Sequence, residues 1–148
     1  MSLNESIQAA FDAVPYPGDH NIIHCSYNCR LCQEVVEYFK GKGQSDHSIE
    51  ELRDHHIALS LFTPAAFQYF LPAFMLASLE SYDQIHLLPD SIRFHFDFNL
   101  EHRDHFLVQM EKLTTAQRKT IIEFLRFMES KGAGSSEDAI GLLQEQMA

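Results

Sequence analysis

The feature of this sequence that most constrains its fold is an uncharged stretch of 23 residues, from Ile57 to Leu79. Such a stretch is long enough to cross a bilayer. However, Thr63-Pro64 and Pro72 interrupt it, and no basic cluster flanks it. The remaining apolar run has the length of a buried core helix. We therefore predict a central helix over residues 65–82, kinked at Pro72, and no membrane partner.

The rest of the chain is mostly helical in pattern. Apolar residues at helical spacing predict helices over residues 4–14, 28–40, 48–59, 104–112, 115–131 and 137–146. Ser48 and Thr114 each begin a capping box. The only linker-like stretch, Gly132–Ser136, precedes the last helix. The sequence thus predicts a mainly α, compact single-domain bundle of about six helices over residues 1–148, with at most one short strand or hairpin.

That strand is predicted near residue 95. Ile92, Phe94, Phe96 and Phe98 alternate with polar residues, which is the two-residue repeat of a half-buried strand. Residues 85–88 could pair with it as a hairpin. Because an unpaired edge rich in Phe must be covered, the strand also predicts self-association into a homo-oligomer.

The net charge of the chain limits the classes of molecule that it is expected to bind. The chain has 21 acidic and 11 basic residues, which gives a formal net charge of −10. Such a surface repels phosphate groups, so we expect neither nucleic acid nor an anionic membrane as a partner. A protein partner or self-association fits this charge better. The three cysteines cannot all pair with one another, and no signal peptide opens the sequence, so we expect reduced thiols in the cytoplasm.

The cysteines themselves suggest a metal site. Cys29 and Cys32 are three residues apart at a helix start and could share a zinc ion. His56, placed inward in a helix over residues 48–59, and His24 would complete the site, with Cys25 as an alternative ligand. Thiol redox chemistry and simple packing of small apolar side chains remain open interpretations of the same cysteines.

Several of these residues also form a pattern that resembles a known family. The pattern consists of Pro15-Tyr16-Pro17-Gly18-Asp19, Asn21, Cys29-x2-Cys32, Phe39-x-Gly41-Lys42, His55-His56-x-Ala58-Leu59-Ser60 and Thr63-Pro64-x-Ala66-Phe67-x-Tyr69-x-Leu71-Pro72-Ala73-Phe74. It is similar to a family of small bacterial proteins classed as a domain of unknown function. The resemblance covers roughly residues 10–80 and is looser through the helix that begins Thr114-x-x-Gln117. It implies a bacterial cytoplasmic protein with a core-forming middle segment. It implies no activity, substrate or cofactor. Cys25 lies outside the pattern, which favours the Cys29/Cys32 pair.

Two classes of function follow. The sequence contains no Gly-rich phosphate loop, nucleophile elbow or His-Glu zinc-protease signature. The leading interpretation is therefore a non-enzymatic acidic module that binds another protein, for example as an immunity protein or antitoxin against a basic toxin. The alternative is a small zinc-binding protein or metalloenzyme that uses Cys29, Cys32 and a histidine.

Overall fold

The apolar helix predicted at the middle of the chain is present in the computed structural model as Pro64–Ser81. Five of its large side chains are completely buried, namely Phe67, Phe70, Leu71, Phe74 and Met75. Leu79 is partly buried against the same core. The helix continues through Pro72. A helix that is apolar on all sides must be packed from several directions, so the prediction of a buried central helix is confirmed.

The structure describes residues 2–24, 30–81, 91, 92, 95, 103–132 and 135–145. The helices within these ranges are α1 (Leu3–Phe11), α2 (Arg30–Phe39), α3 (Ile49–Asp54), α4 (Ala58–Leu61), α5 (Pro64–Ser81), α6 (Arg103–Lys112), α7 (Thr115–Ser130) and α8 (Glu137–Glu145). Helices α1, α3 and α6 pack on α5, while α7 packs on both α1 and α8. The chain is therefore a mainly α single domain, as predicted. No helix among the described residues is long and apolar enough to cross a membrane.

The predicted helix over residues 48–59 is divided into two. Its start is as expected, because Ser48 and Glu51 form the predicted capping box. The helix ends at Asp54, however, because His55 leaves helical geometry with φ −115° and ψ 28°. His56 consequently lies in the turn before α4, so the prediction of one continuous helix through it is wrong.

The predicted strand is wrong where the structure describes it. Ser91, Ile92 and His95 are helical. Ile92 and His95 are both buried. Phe94, Phe96 and Phe98, and the proposed hairpin partner at residues 85–88, lie outside the described residues.

A short backbone pairing joins the first loop to the start of α5. Ile23 and Phe62 form an isolated antiparallel bridge, in which the His24 N–H donates to the carbonyl of Leu61 at 2.9 Å. The Thr63 hydroxyl donates to the Asn21 carbonyl at 2.8 Å and accepts from the Ala66 N–H. Thr63 therefore caps α5 and also holds the loop against it.

Buried glutamines connect the helices. The Gln117 side-chain oxygen accepts from the Thr114 N–H at 3.0 Å and from the Gln68 amide at 2.8 Å. Its amide nitrogen donates to the carbonyl of Ala10 at 3.1 Å, and Gln68 also donates to the carbonyl of Lys112. One residue thus completes the capping box of α7 and links it to α1 and α5. A buried network of this kind stabilises the fold only if each of its donors and acceptors has a hydrogen-bond partner.

Replacing Gln117 with Leu should lower the free energy of unfolding by about 2–4 kcal/mol, because the buried groups around Ala10 and Gln68 lose their partner. Urea denaturation measures the change. The matched control is Gln144→Leu, at an exposed position of α8, which should change stability by less than about 0.5 kcal/mol. Equal effects of the two substitutions would show that the network contributes nothing.

Candidate functional site

Two polar groups with shifted pKa values, Tyr38 and His47, lie close together near the end of α2. Tyr38, near the end of α2, stacks on the imidazole of His55 with ring centroids 4.4 Å apart and an interplanar angle of 20°. The Lys42 ammonium lies 5.0 Å from the centroid of the same ring. The Tyr38 hydroxyl lies 2.7 Å from Nδ1 of His47. Helix α2 and the chain on either side of α3 thus bring an aromatic ring, two imidazoles and an ammonium group together.

The protonation states in this group follow from burial. Burial, followed by the negative charge of Glu51, raises the pKa of Tyr38 to about 12. Burial also lowers the pKa of His47 below its ordinary value. At neutral pH the phenol therefore keeps its proton and donates it to Nδ1 of a neutral imidazole. This assigns the ring proton of His47 to Nε2, which is buried. A phenol with this pKa is not an activated nucleophile, so the pair is suited to binding rather than to covalent catalysis.

A surface depression lies beside this pair. It has a volume of about 350 Å³ and is lined by Glu34, Glu37, Tyr38 and His55, which we call the Tyr38 depression. Glu34 and Glu37 are exposed, whereas the two rings are partly buried. Glu34 forms an ion pair with Arg30 at 3.2 Å, but the Arg30 side chain is 93% exposed. Because an exposed pair of this kind contributes little, a ligand cation can replace Arg30.

The loop motif at Pro15–Asp19 fixes the end of α2 next to this depression. Gly41 follows α2 with φ +76°, a conformation that favours glycine. Its N–H donates to the Tyr16 hydroxyl at 2.7 Å, and the hydroxyl donates to the Asp19 carboxylate at 2.6 Å. The tyrosine of the motif therefore holds the chain reversal that follows Tyr38.

The predicted metal ligands are only partly described. Cys32 is buried on α2, on the same side as Val35 and Phe39. His24 is exposed, and His56 is partly buried with Nδ1 3.3 Å from the Ser91 hydroxyl. Cys25 and Cys29 lie outside the described residues. The part of the chain that the structure describes contains no group of three His, Cys, Asp or Glu side chains able to hold a metal. The zinc site therefore stays a prediction.

Sequence reasoning did not identify the residues of the Tyr38 depression. Glu34 and Tyr38 are four residues apart, so they share one side of α2. This spacing could have predicted that the two side chains are neighbours. The contact of His55 with Tyr38 could not be predicted from the sequence, because it depends on where α3 ends. The family pattern included His55 without indicating its contact with Tyr38.

Comparison with known proteins identified one relationship. A protein family described as a family of unknown function (DUF6714) matches residues 30–145. The match confirms the resemblance to a domain of unknown function and includes α6, α7 and α8. The Pro15–Asp19 motif precedes the matched residues. No curated protein and no solved structure matched the chain.

The lowered pKa of His47 should make folding stability depend on pH. Because the unfolded chain binds a proton more readily than the folded one, the free energy of unfolding should fall as pH decreases from about 7 to about 5. Lys42 also opposes protonation of His47, whereas a backbone hydrogen bond with Gly43 and the charges of Asp46 and Glu51 favour it. His47→Gln keeps an acceptor for Tyr38 but cannot titrate, so its denaturation midpoint should vary less with pH. His20→Gln, in an exposed loop, is the control, and the same pH dependence in both variants would contradict the assignment.

The zinc hypothesis predicts stoichiometric zinc in the purified protein. Bound zinc should raise the melting temperature, and a chelator should lower it, because the ion would tie the loop before α2 to the helical core. Elemental analysis should give about one zinc per chain, falling sharply in Cys29→Ser and Cys32→Ser. Protein purified without chelators that contains no zinc would remove the hypothesis.

Proposed function

The chain belongs to this family of unknown function, and we propose that it is a non-enzymatic acidic module that binds another protein through the Tyr38 depression. In this proposal the partner inserts a basic side chain between Glu34 and Glu37. Its methylene groups contact the rings of Tyr38 and His55. A partner of this kind, such as a basic toxin, is complementary to a chain with a net charge of −10.

The observation that carries the proposal is the joining of two exposed carboxylates and two aromatic rings in one depression. Lysine and arginine combine an apolar stem with a charged end, so they match a site that offers both kinds of surface. Opposite charge also accelerates association and disfavours acidic competitors. The depression is shallow and open, which suits a side chain of a macromolecule better than an enclosed small molecule.

The state of Tyr38 supports binding as well. Its ring already contacts His55 and Lys42, and its hydroxyl is engaged by His47. The ring is therefore fixed before a partner arrives, so little side-chain entropy is lost on association. Among the described residues, Glu34 forms an ion pair with Arg30 alone. An incoming cation therefore has to displace only Arg30 from Glu34.

The proposal predicts that the double variant Glu34→Gln/Glu37→Gln binds basic ligands more weakly. The probes are the capped peptides acetyl-Gly-Arg-Gly-amide and acetyl-Gly-Gln-Gly-amide. NMR titration of the protein with each peptide measures binding. The arginine peptide should shift the amide signals of α2 and of His55, and the double variant should weaken its binding by about fivefold or more. High salt should also weaken it.

The matched control is Glu123→Gln/Glu145→Gln, which removes the same charge from exposed positions on α7 and α8. It should change binding by less than about twofold. Equal losses in both double variants would mean that the probe senses only net charge, and the Tyr38 depression would not be a binding site. Equal binding of the two peptides would exclude recognition of a basic side chain.

A further inference from the structure

A second concave surface lies along α5, on the side that faces α1. Two hollows of about 290 and 220 Å³ adjoin each other there and share the lining residues Gln8, Gln44, Ser45, Ala73 and Leu76. The first hollow also includes Phe11, Asp12 and Pro72. The second also includes His47, Ile49, Leu52, Ala77 and Glu80. Because five residues are common to both, the hollows form one continuous surface, which we call the α5 groove.

The groove has an apolar floor and an acidic group at each end. Its floor is formed by α5 and by the apolar side of α3. Asp12 lines only the first hollow and Glu80 only the second, and both are exposed. Neither carboxylate has an ion-pair or hydrogen-bond partner among the described residues. No Lys or Arg is present among the described residues that line the groove, so the charge at both ends is uncompensated.

Between the two ends, Gln44 presents a fixed hydrogen-bond acceptor. Its amide nitrogen donates to the carbonyls of Phe11 and Tyr69, both at 3.1 Å. Two carbonyl partners identify this atom as the nitrogen, since an amide oxygen could not bond either of them. Both amide hydrogens are thereby used, and the oxygen is left to accept from a ligand. A backbone N–H of an extended peptide is a donor of this kind.

The length of the groove matches a short extended segment. Pro72 and Glu80 mark its two ends along α5, and eight residues of helix rise by about 12 Å. In an extended chain, side chains two residues apart point to the same side, and four residues span roughly 13 Å. Side chains at i and i+4 of such a segment are therefore spaced like the two ends of the groove, and the side chain at i+2 faces its floor.

We propose that the α5 groove binds an extended segment of a partner protein with the pattern basic-x-aliphatic-x-basic. The basic residues meet Asp12 and Glu80, the aliphatic residue lies against Ala73 and Leu76, and a backbone N–H donates to Gln44. This inference rests on the proposed function, since both invoke a basic protein partner. It uses a surface other than the Tyr38 depression.

The test uses two capped peptides of identical composition, acetyl-Ala-Lys-Ala-Leu-Ala-Lys-Ala-amide and acetyl-Ala-Lys-Lys-Leu-Ala-Ala-Ala-amide. Only the first places both lysines on the same side as the leucine. Isothermal titration calorimetry should show it binding about fivefold more tightly, with the difference removed by Asp12→Asn/Glu80→Gln. Gln8→Arg, which adds a positive charge at an exposed position lining both hollows, should also weaken binding. Thermal melts confirm that the variants are folded.

Three controls decide between outcomes. Glu123→Gln/Glu145→Gln removes the same charge elsewhere and should leave the preference for the first peptide unchanged. If only Glu34→Gln/Glu37→Gln weakens binding, the groove inference is overturned while the proposed function stands. If spermidine competes with the first peptide and shows the same loss in Asp12→Asn/Glu80→Gln, the groove recognises aliphatic amines instead of a protein segment, and the inference is also overturned. Equal affinity for the two peptides contradicts it as well.

Discussion

The hydrogen bonds of the Gln117 amide hold the bundle together. This side chain closes the first turn of α7, accepts from Gln68 on α5 and donates to the last turn of α1. The hydrophobic effect is non-directional, so apolar burial specifies helix positions only through the fit of the side chains. A buried amide adds a directional constraint, because a displaced partner leaves polar atoms without hydrogen bonds, which costs about 1–3 kcal/mol for each group. The Gln117 contacts therefore set the relative positions of three helices.

The same device recurs at other helix ends. Gln109 is completely buried and donates to the carbonyls of Leu59 and Phe62, at the end of α4, while its oxygen accepts from His95. Gln44 does the equivalent for Phe11 at the end of α1. The last carbonyls of a helix have no partner within the helix, so an amide from another element can satisfy them. Short helices and loops are thus fixed against a rigid apolar centre, and this makes shaped surfaces possible at their edges.

Helix α3 contributes to both of the surfaces to which we assign binding. Ile49 and Leu52 line the α5 groove, whereas His55, which ends the helix, lines the Tyr38 depression. The hydrogen bond between Tyr38 and His47 connects a residue of the depression to a residue of the groove. Both surfaces carry two carboxylates over apolar or aromatic groups. The two proposals therefore share one chemistry, the recognition of a cation with an apolar stem, which is complementary to a chain with a net charge of −10.

The sequence by itself determined the elements whose signals are local. The uncharged run around Phe70 predicted a buried helix, and the capping boxes at Ser48 and Thr114 predicted helix starts, because periodicity and capping act within a few residues. The prediction of a strand from the two-residue alternation was wrong at Ile92 and His95, which are helical and buried in the core. The sequence also did not predict that Glu34, Glu37 and His55 line one depression. Their proximity depends on where α3 stops and on how α2 lies against it. Only the tertiary structure decided this, since contacts between residues distant in sequence leave no periodic trace in the chain.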